Sequence, residues 1–155
     1  MDRVDFPLTT SQISEFILDK GYTTYFRLQS ALAELTDSGL LKIELTHNRT
    51  LYNLTEEGAA TINYFRNKIS PEIRQEIDNF INEKKYDLKE EVSVKSDYYL
   101  NTNHEYEVKC QILENGSHLI DMTLTVPTQT EAEAIVNNWN LKNQEIYASL
   151  LSQLL

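Results

Sequence analysis

The chain is poor in the residues that most often build chemistry into a protein: 155 residues contain one cysteine, three histidines and four glycines. A single cysteine, Cys110, excludes an intramolecular disulfide and fits a reducing compartment. His47, His104, His118 and Cys110 are the only soft ligands, and none has the i, i+3 or i, i+4 partner or the CxxC spacing of a metal site. They predict one buried thiol and three surface imidazoles. The few glycines form no phosphate-cradling loop, and neither GxSxG nor HExxH occurs. The paired carboxylates Glu56-Glu57, Glu90-Glu91 and Glu131 with Glu133 stand at helix starts or in a charged run, where the helix dipole or solubility explains them. Catalysis, a cofactor and a bound metal are therefore not expected. There is no leader-like apolar segment and no long apolar run, so a cytoplasmic protein without a membrane span is expected.

Positive charge is scarce as well. The net charge is −10; residues 1–80 carry 8 basic against 12 acidic side chains, and residues 81–155 carry 6 against 12. Nucleic-acid-binding domains usually show a basic footprint, and here the whole molecule repels phosphate. The 41% hydrophobic content is nonetheless enough for one core or two small ones.

The pattern from Thr9 to Phe65 is the richest. Thr10 or Ser11 can cap a first helix with Ile13, Phe16 and Ile17 at i, i+3 and i+4, and Gly21 stops it. Thr23 or Thr24 can cap a second helix carrying Leu28, Ala31, Leu32 and Leu35 on one stripe, closed by Gly39. A hairpin follows, with Ile43 and Leu45 alternating inward before His47-Asn48-Arg49 and Tyr52 and Leu54 after it. Thr55-Glu56-Glu57 opens a third helix.

The run Leu35-Thr-Asp-Ser-Gly39-Leu40-Leu41, a strand, a tip, a strand and Leu54-Thr-Glu-Glu-Gly58 resembles the end of the recognition helix and the wing of MarR- and PadR-type bacterial regulators. Asp5-Phe-Pro-Leu-Thr9, Gln12-Ile-Ser-Glu-Phe16 and Gly21-Tyr22 resemble an uncharacterised bacterial family of winged-helix proteins known only as a domain of unknown function. The resemblance implies a winged helix-turn-helix and binding to double-stranded DNA by analogy. Such domains normally begin with a helix packed across the next two, and only Met1–Phe6 precede the Pro7-Leu8-Thr9 segment here. The exposed stripe then calls for cover from another element, such as the C-terminal helix, or from a partner subunit, and a homodimer is expected.

Ser70-Pro71 starts a further helix with Ile73, Ile77, Phe80 and Ile81 on one stripe. The charged run 82–91 reads as a solvated face or a linker between two lobes. Beyond it, Tyr106, Val108, Cys110 and Ile112 alternate on one strand and Ile120, Met122, Leu124 and Val126 on the next. A three-residue loop at Asn115-Gly-Ser117 sets Ile112 opposite Ile120, Cys110 opposite Met122 and Val108 opposite Leu124. The same parity places Val92, Val94, Tyr98 and Leu100 on a third strand, with Tyr98 beside Tyr106. Thr128-Gln-Thr-Glu131 is a capping box for a covering helix with Ala132, Ile135, Val136 and Trp139 on one side and a bend near 137–140. The expected organisation is α+β: winged helix-turn-helix 1–69, connecting helix and linker 70–89, and sheet plus C-terminal helix 90–155 for dimerisation or sensing.

The DNA-facing candidates follow from that fold. Tyr25 would meet a phosphate or a thymine methyl, Arg27 guanine O6 and N7, and Gln29 adenine, with Ser30 on a phosphate and Thr24 at the helix start. Lys42 at the hairpin base and His47, Asn48 and Arg49 at the tip would meet the backbone or the minor groove. Tyr22 or Phe26 is expected to pack under the turn as core. The alternative is an acidic protein-protein interaction module that does not bind DNA.

Overall fold

A computed structural model describes residues 1–46, 49–114 and 117–155, and it is α+β, with five α-helices and two three-stranded antiparallel sheets among those residues. Met1–Leu45 with Arg49–Val92 form one compact unit, and Ser93–Leu155 fall in the second.

In the first unit the order is β1 (Leu8–Thr9), α1 (Thr10–Asp19), α2 (Tyr25–Asp37), β2 (Leu41–Leu45), β3 (Thr50–Leu54), α3 (Glu56–Phe65), a 3-10 turn (Arg66–Lys68) and α4 (Pro71–Ser93). The sheet order is β1-β3-β2. Both faces of β3 are covered: Leu51 is as buried as Tyr52, although alternation marked only Tyr52 and Leu54 as inward. On β2 the inward pair is Leu41 and Ile43, and Leu45 is exposed. Leu28 and Leu32 of α2 pack with Leu41 and Tyr52, and Ile13 and Ile17 of α1 join them. Ala31 faces solvent, so the buried stripe of α2 is narrower than its sequence suggested.

Helix boundaries are made by local chemistry. The cap of α1 is Thr9, not Thr10 or Ser11: its hydroxyl accepts from Gln12 N, and Gln12 Oε1 accepts from Thr9 N in return. Helices α1 and α2 both end in a Schellman motif. Gly21 N donates to Leu18 O and Tyr22 N to Ile17 O; Gly39 N donates to Thr36 O and Leu40 N to Leu35 O. Both glycines have φ near +70°, which side chains with a Cβ resist. The motif Leu54-Thr-Glu-Glu-Gly58 is a joint: Thr55 Oγ1 donates to the carbonyls of Gly39 and Leu40 and accepts from Gly58 N. A Cβ on Gly58 would lie 2.2 Å from Leu40 O, so α3 approaches the α2–β2 corner only because that side chain is absent.

The expected cover for α1 came from the C-terminal helix or a partner subunit; in the structure α4 supplies it. The charged run 82–91 is helical rather than a linker, and the helix is continuous from Pro71 to Ser93. It lies antiparallel along α1 through contacts one turn apart. Glu76 meets Tyr22 and Lys20, Phe80 meets Phe16 with ring centroids 4.9 Å apart, Lys84 pairs with Glu15, and Leu88 O accepts from Gln12. The contact row is half apolar and half polar, which is why a search for an apolar stripe alone stopped at Ile81. Its far end is buried too, at Leu88 and Val92, so Val92 is helical rather than part of a strand.

The second unit is a meander of β4 (Val94–Leu100), β5 (Tyr106–Glu114) and β6 (Ser117–Val126), followed by α5 (Gln129–Leu154). The expected pairs Val108–Leu124, Cys110–Met122 and Ile112–Ile120 are all present. Their cause differs from the one expected, since Glu114 pairs with Ser117 and the register shift falls after Ile112, leaving Leu119 as the extra residue of a bulge. Asn115 and Gly116 lie outside the described residues. Tyr98 pairs with Val108 and touches Tyr106 diagonally, ring centroids 6.0 Å apart. The capping box at Thr128 and Glu131 starts α5, which runs without a break past 137–140. Ala132, Val136 and Trp139 close over Val108 and Cys110, and Trp139 is 1% exposed.

Candidate nucleic-acid interface

The surface at issue is the outer face of α2 with the β2–β3 hairpin. At about 100° per residue, Phe26 and Ser30 lie opposite the buried Leu28–Leu32 line and Arg27 lies to one side. Thr24 is the N-cap in extended conformation, but its side chain makes no capping bond. Its neighbour Tyr25 is half exposed and stands edge-on to Phe26, with ring centroids 6.0 Å apart. Phe26, considered as a core residue from sequence, is 81% exposed. Tyr22 takes the packing role instead: its ring lies 5.8 Å from that of Phe16, and its hydroxyl donates to Glu76 Oε2 at 2.6 Å. That bond holds the Glu76 carboxyl below the ordinary range and raises the Tyr22 hydroxyl.

The other candidates divide. Arg27, Ser30 and Lys42 are exposed, whereas Gln29 is half-buried with its Nε2 enclosed and without a hydrogen-bond partner among the described residues. Arg49 donates from Nη1 to Glu91 O at 2.5 Å, which ties the end of the hairpin to α4. His47 and Asn48 lie outside the described residues. Several cations elsewhere in the unit are engaged. Arg3 pairs with Asp78 at 3.1 Å, Arg66 with Asp2 at 2.6 Å and Lys20 with Glu76 at 3.5 Å, and Lys68 sits over the Phe65 ring. Arg27 and Lys42 therefore carry the open positive charge on this face.

No group of three or more His, Cys, Asp or Glu among the described residues is placed to hold a metal. Cys110 is buried, and desolvation pushes its thiol up to about 11. His104 sits in the β4–β5 turn at φ 62°, where Asn101 Oδ1 accepts from two backbone amides. His118 Nε2 lies 3.1 Å from Gln111 Nε2 on the exposed side of the second sheet. Among the described residues no helix is long and apolar enough to cross a membrane. Sequence reasoning missed the exposure of Phe26; the signal was its 200° offset from Leu28, which an apolar count ignores.

A family model described as "Domain of unknown function (DUF4364)" matches residues 1–154, and the chain belongs to that family. No curated protein and no solved structure matches it.

Proposed function

We propose that this member of the DUF4364 family is a DNA-binding transcriptional regulator, a binding protein rather than an enzyme, whose first unit is a winged helix-turn-helix acting as a homodimer. The observation that carries the reading is the exposed α2 face with free Arg27, set beside a hairpin whose third strand is the short β1. That order of strand, helix, turn, helix and hairpin is the one a winged helix uses, with α4 in the place of its usual first helix. In this arrangement α2 enters the major groove, Arg27 reads a base edge, and Lys42 and the hairpin tip meet phosphates. Arg49 reaches phosphate by exchanging its bond to Glu91 O. With so few cations, one copy binds weakly; a second copy doubles the phosphate contacts and adds effective concentration. Since α4 covers Phe16, dimerisation falls to other surfaces, and the exposed Leu141 and Leu154 of α5 are the candidates.

Mobility shift of selected genomic fragments tests this. Wild type retards a subset at low salt, Arg27→Ala loses about 1–3 kcal/mol of discrimination, and Lys42→Ala weakens all fragments alike. Absence of retardation at low salt rejects the reading. A second reading, a protein-interaction module, is favoured by the exposed Phe26–Tyr25 pair on an acidic molecule. Phe26→Ala abolishing association with a protein partner while fold is kept would support it.

A further inference from the structure

The first unit holds a cavity of about 330 Å³ between the end of α2, the sheet, α3 and the start of α4. Its walls include Leu35, Leu40, Leu54, Ile62, Phe65 and Ile77. It opens to solvent past the exposed Leu35 and Phe65, and its volume falls in the range of small-ligand clefts, about 300–1,000 Å³. It exists for a reason visible in the chain. The Thr55–Gly58 joint draws α3 onto Leu40, while Leu35, on the α2 stripe, is left 38% exposed instead of packed.

Three arginines also line it, and they are not equivalent. Arg66 is bound to Asp2 and Arg3 to Asp78, with Asp2 the one acid in the lining. Arg74 has no ion pair, and its Nε is buried without a hydrogen-bond partner among the described residues. Glu72, the acid nearest in sequence, is held first by the backbone and by Ser70 at the start of α4, and the Arg74 charge acts on it only at longer range, without an ion pair. An apolar cleft with a guanidinium at its wall that makes no ion pair is complementary to a molecule with an apolar chain and one anionic head.

We infer that this cavity binds an unbranched carboxylate of roughly eight to ten carbons, its chain among the leucines and isoleucines and its head on Arg74. The acid must be free, because the volume takes one chain of that length. The inference is independent of DNA binding and is tested without DNA.

Calorimetric titration of the full chain with decanoate, decanol and decyltrimethylammonium, each below the concentration where it self-associates, reads the head-group preference directly. Decanoate binds saturably with one site per chain and at least tenfold more tightly than the other two. Arg74→Gln brings decanoate down to the level of decanol and leaves decanol unchanged. Thr61→Phe, which puts a ring into the cavity, weakens decanoate and decanol at least tenfold while circular dichroism stays native. If decanoate fails to saturate, binds no better than decanol, or keeps its preference in Arg74→Gln, the inference is wrong. Should Thr61→Phe fail to fold, the Arg74→Gln comparison still decides.

Discussion

Gln12 offers the sharpest perturbation of the first unit, because one 4%-exposed side chain joins three elements. Its Oε1 accepts from Thr9 N at 3.0 Å, and its Nε2 donates to Leu88 O at 3.1 Å and to Glu91 Oε2 at 2.8 Å. Gln12→Glu keeps shape and acceptor but removes both donors, setting a carboxylate against a carbonyl and another carboxylate. Losing one neutral bond at about 0.5–1.5 kcal/mol and one to a charged group at about 1.5–3 gives about 2–4 kcal/mol at pH 7. Charge repulsion adds little, since Glu91 is open to solvent. The introduced carboxyl sits among acceptors, so its folded-state pKa lies above the unfolded value of about 4.3. In that window the folded state binds more protons than the unfolded state, so the deficit grows as pH rises through it and shrinks at lower pH, where the protonated acid again donates. Urea denaturation of wild type, Gln12→Glu and Gln12→Leu at pH 7 and near pH 4 measures this. Gln12→Leu should lose a similar amount with no such pH dependence. A Gln12→Glu deficit under 0.5 kcal/mol at pH 7, or one equal at both pH values, would refute the reasoning.

Trp139→Ala should cost about 3–5 kcal/mol, and Trp139→Phe distinctly less, because it also deletes a buried Nε1 that has no partner among the described residues; urea melts with native-state indole emission check both. Gly58→Ala reverses the usual sign for a helical glycine: it should destabilise by about 2–4 kcal/mol because the new Cβ meets the Leu40 carbonyl, and a stabilised variant in thermal melts would contradict the joint. Glu76 favours the folded state above its unfolded pKa, and that contribution fades as pH falls through its depressed folded value. Tyr22→Phe should return the Glu76 carboxyl, followed by NMR titration, toward the ordinary range.

What was legible in the sequence was what repeats with a fixed period or closes locally. Parity of apolar residues found the pairs of the second sheet even though a bulge at Leu119, rather than a longer loop, produced them. Gly21 and Gly39 marked helix ends because positive φ leaves few alternatives. The role of α4 was hidden, because its contacts with α1 run through Glu76, Lys84 and a backbone carbonyl as much as through Phe80, and periodicity weighs only apolar side chains. The cavity was hidden for another reason: a stripe of leucines reads as core whether or not something fills the space between them. Of the candidate interface, exposure of Arg27, Ser30 and Lys42 followed from helix and hairpin geometry, whereas Tyr25 shares the Leu28–Leu32 face by period and is exposed because it opens the first turn of α2. The bond from Arg49 to Glu91 O joins residues 42 apart and had no local signal.

The central claim is that α2 and the hairpin bind duplex DNA, and the salt dependence of affinity for a selected genomic fragment tests it most directly. Two protomers each using Lys42 and Arg49 on phosphates neutralise about four charges, so log K should fall with log salt at a slope of about −3 to −4, and Lys42→Ala should reduce that slope by about two for the dimer. Arg27→Ala should leave the slope and remove the preference for the selected fragment over a scrambled one. A flat salt dependence, or no measurable binding at low salt, would contradict the account.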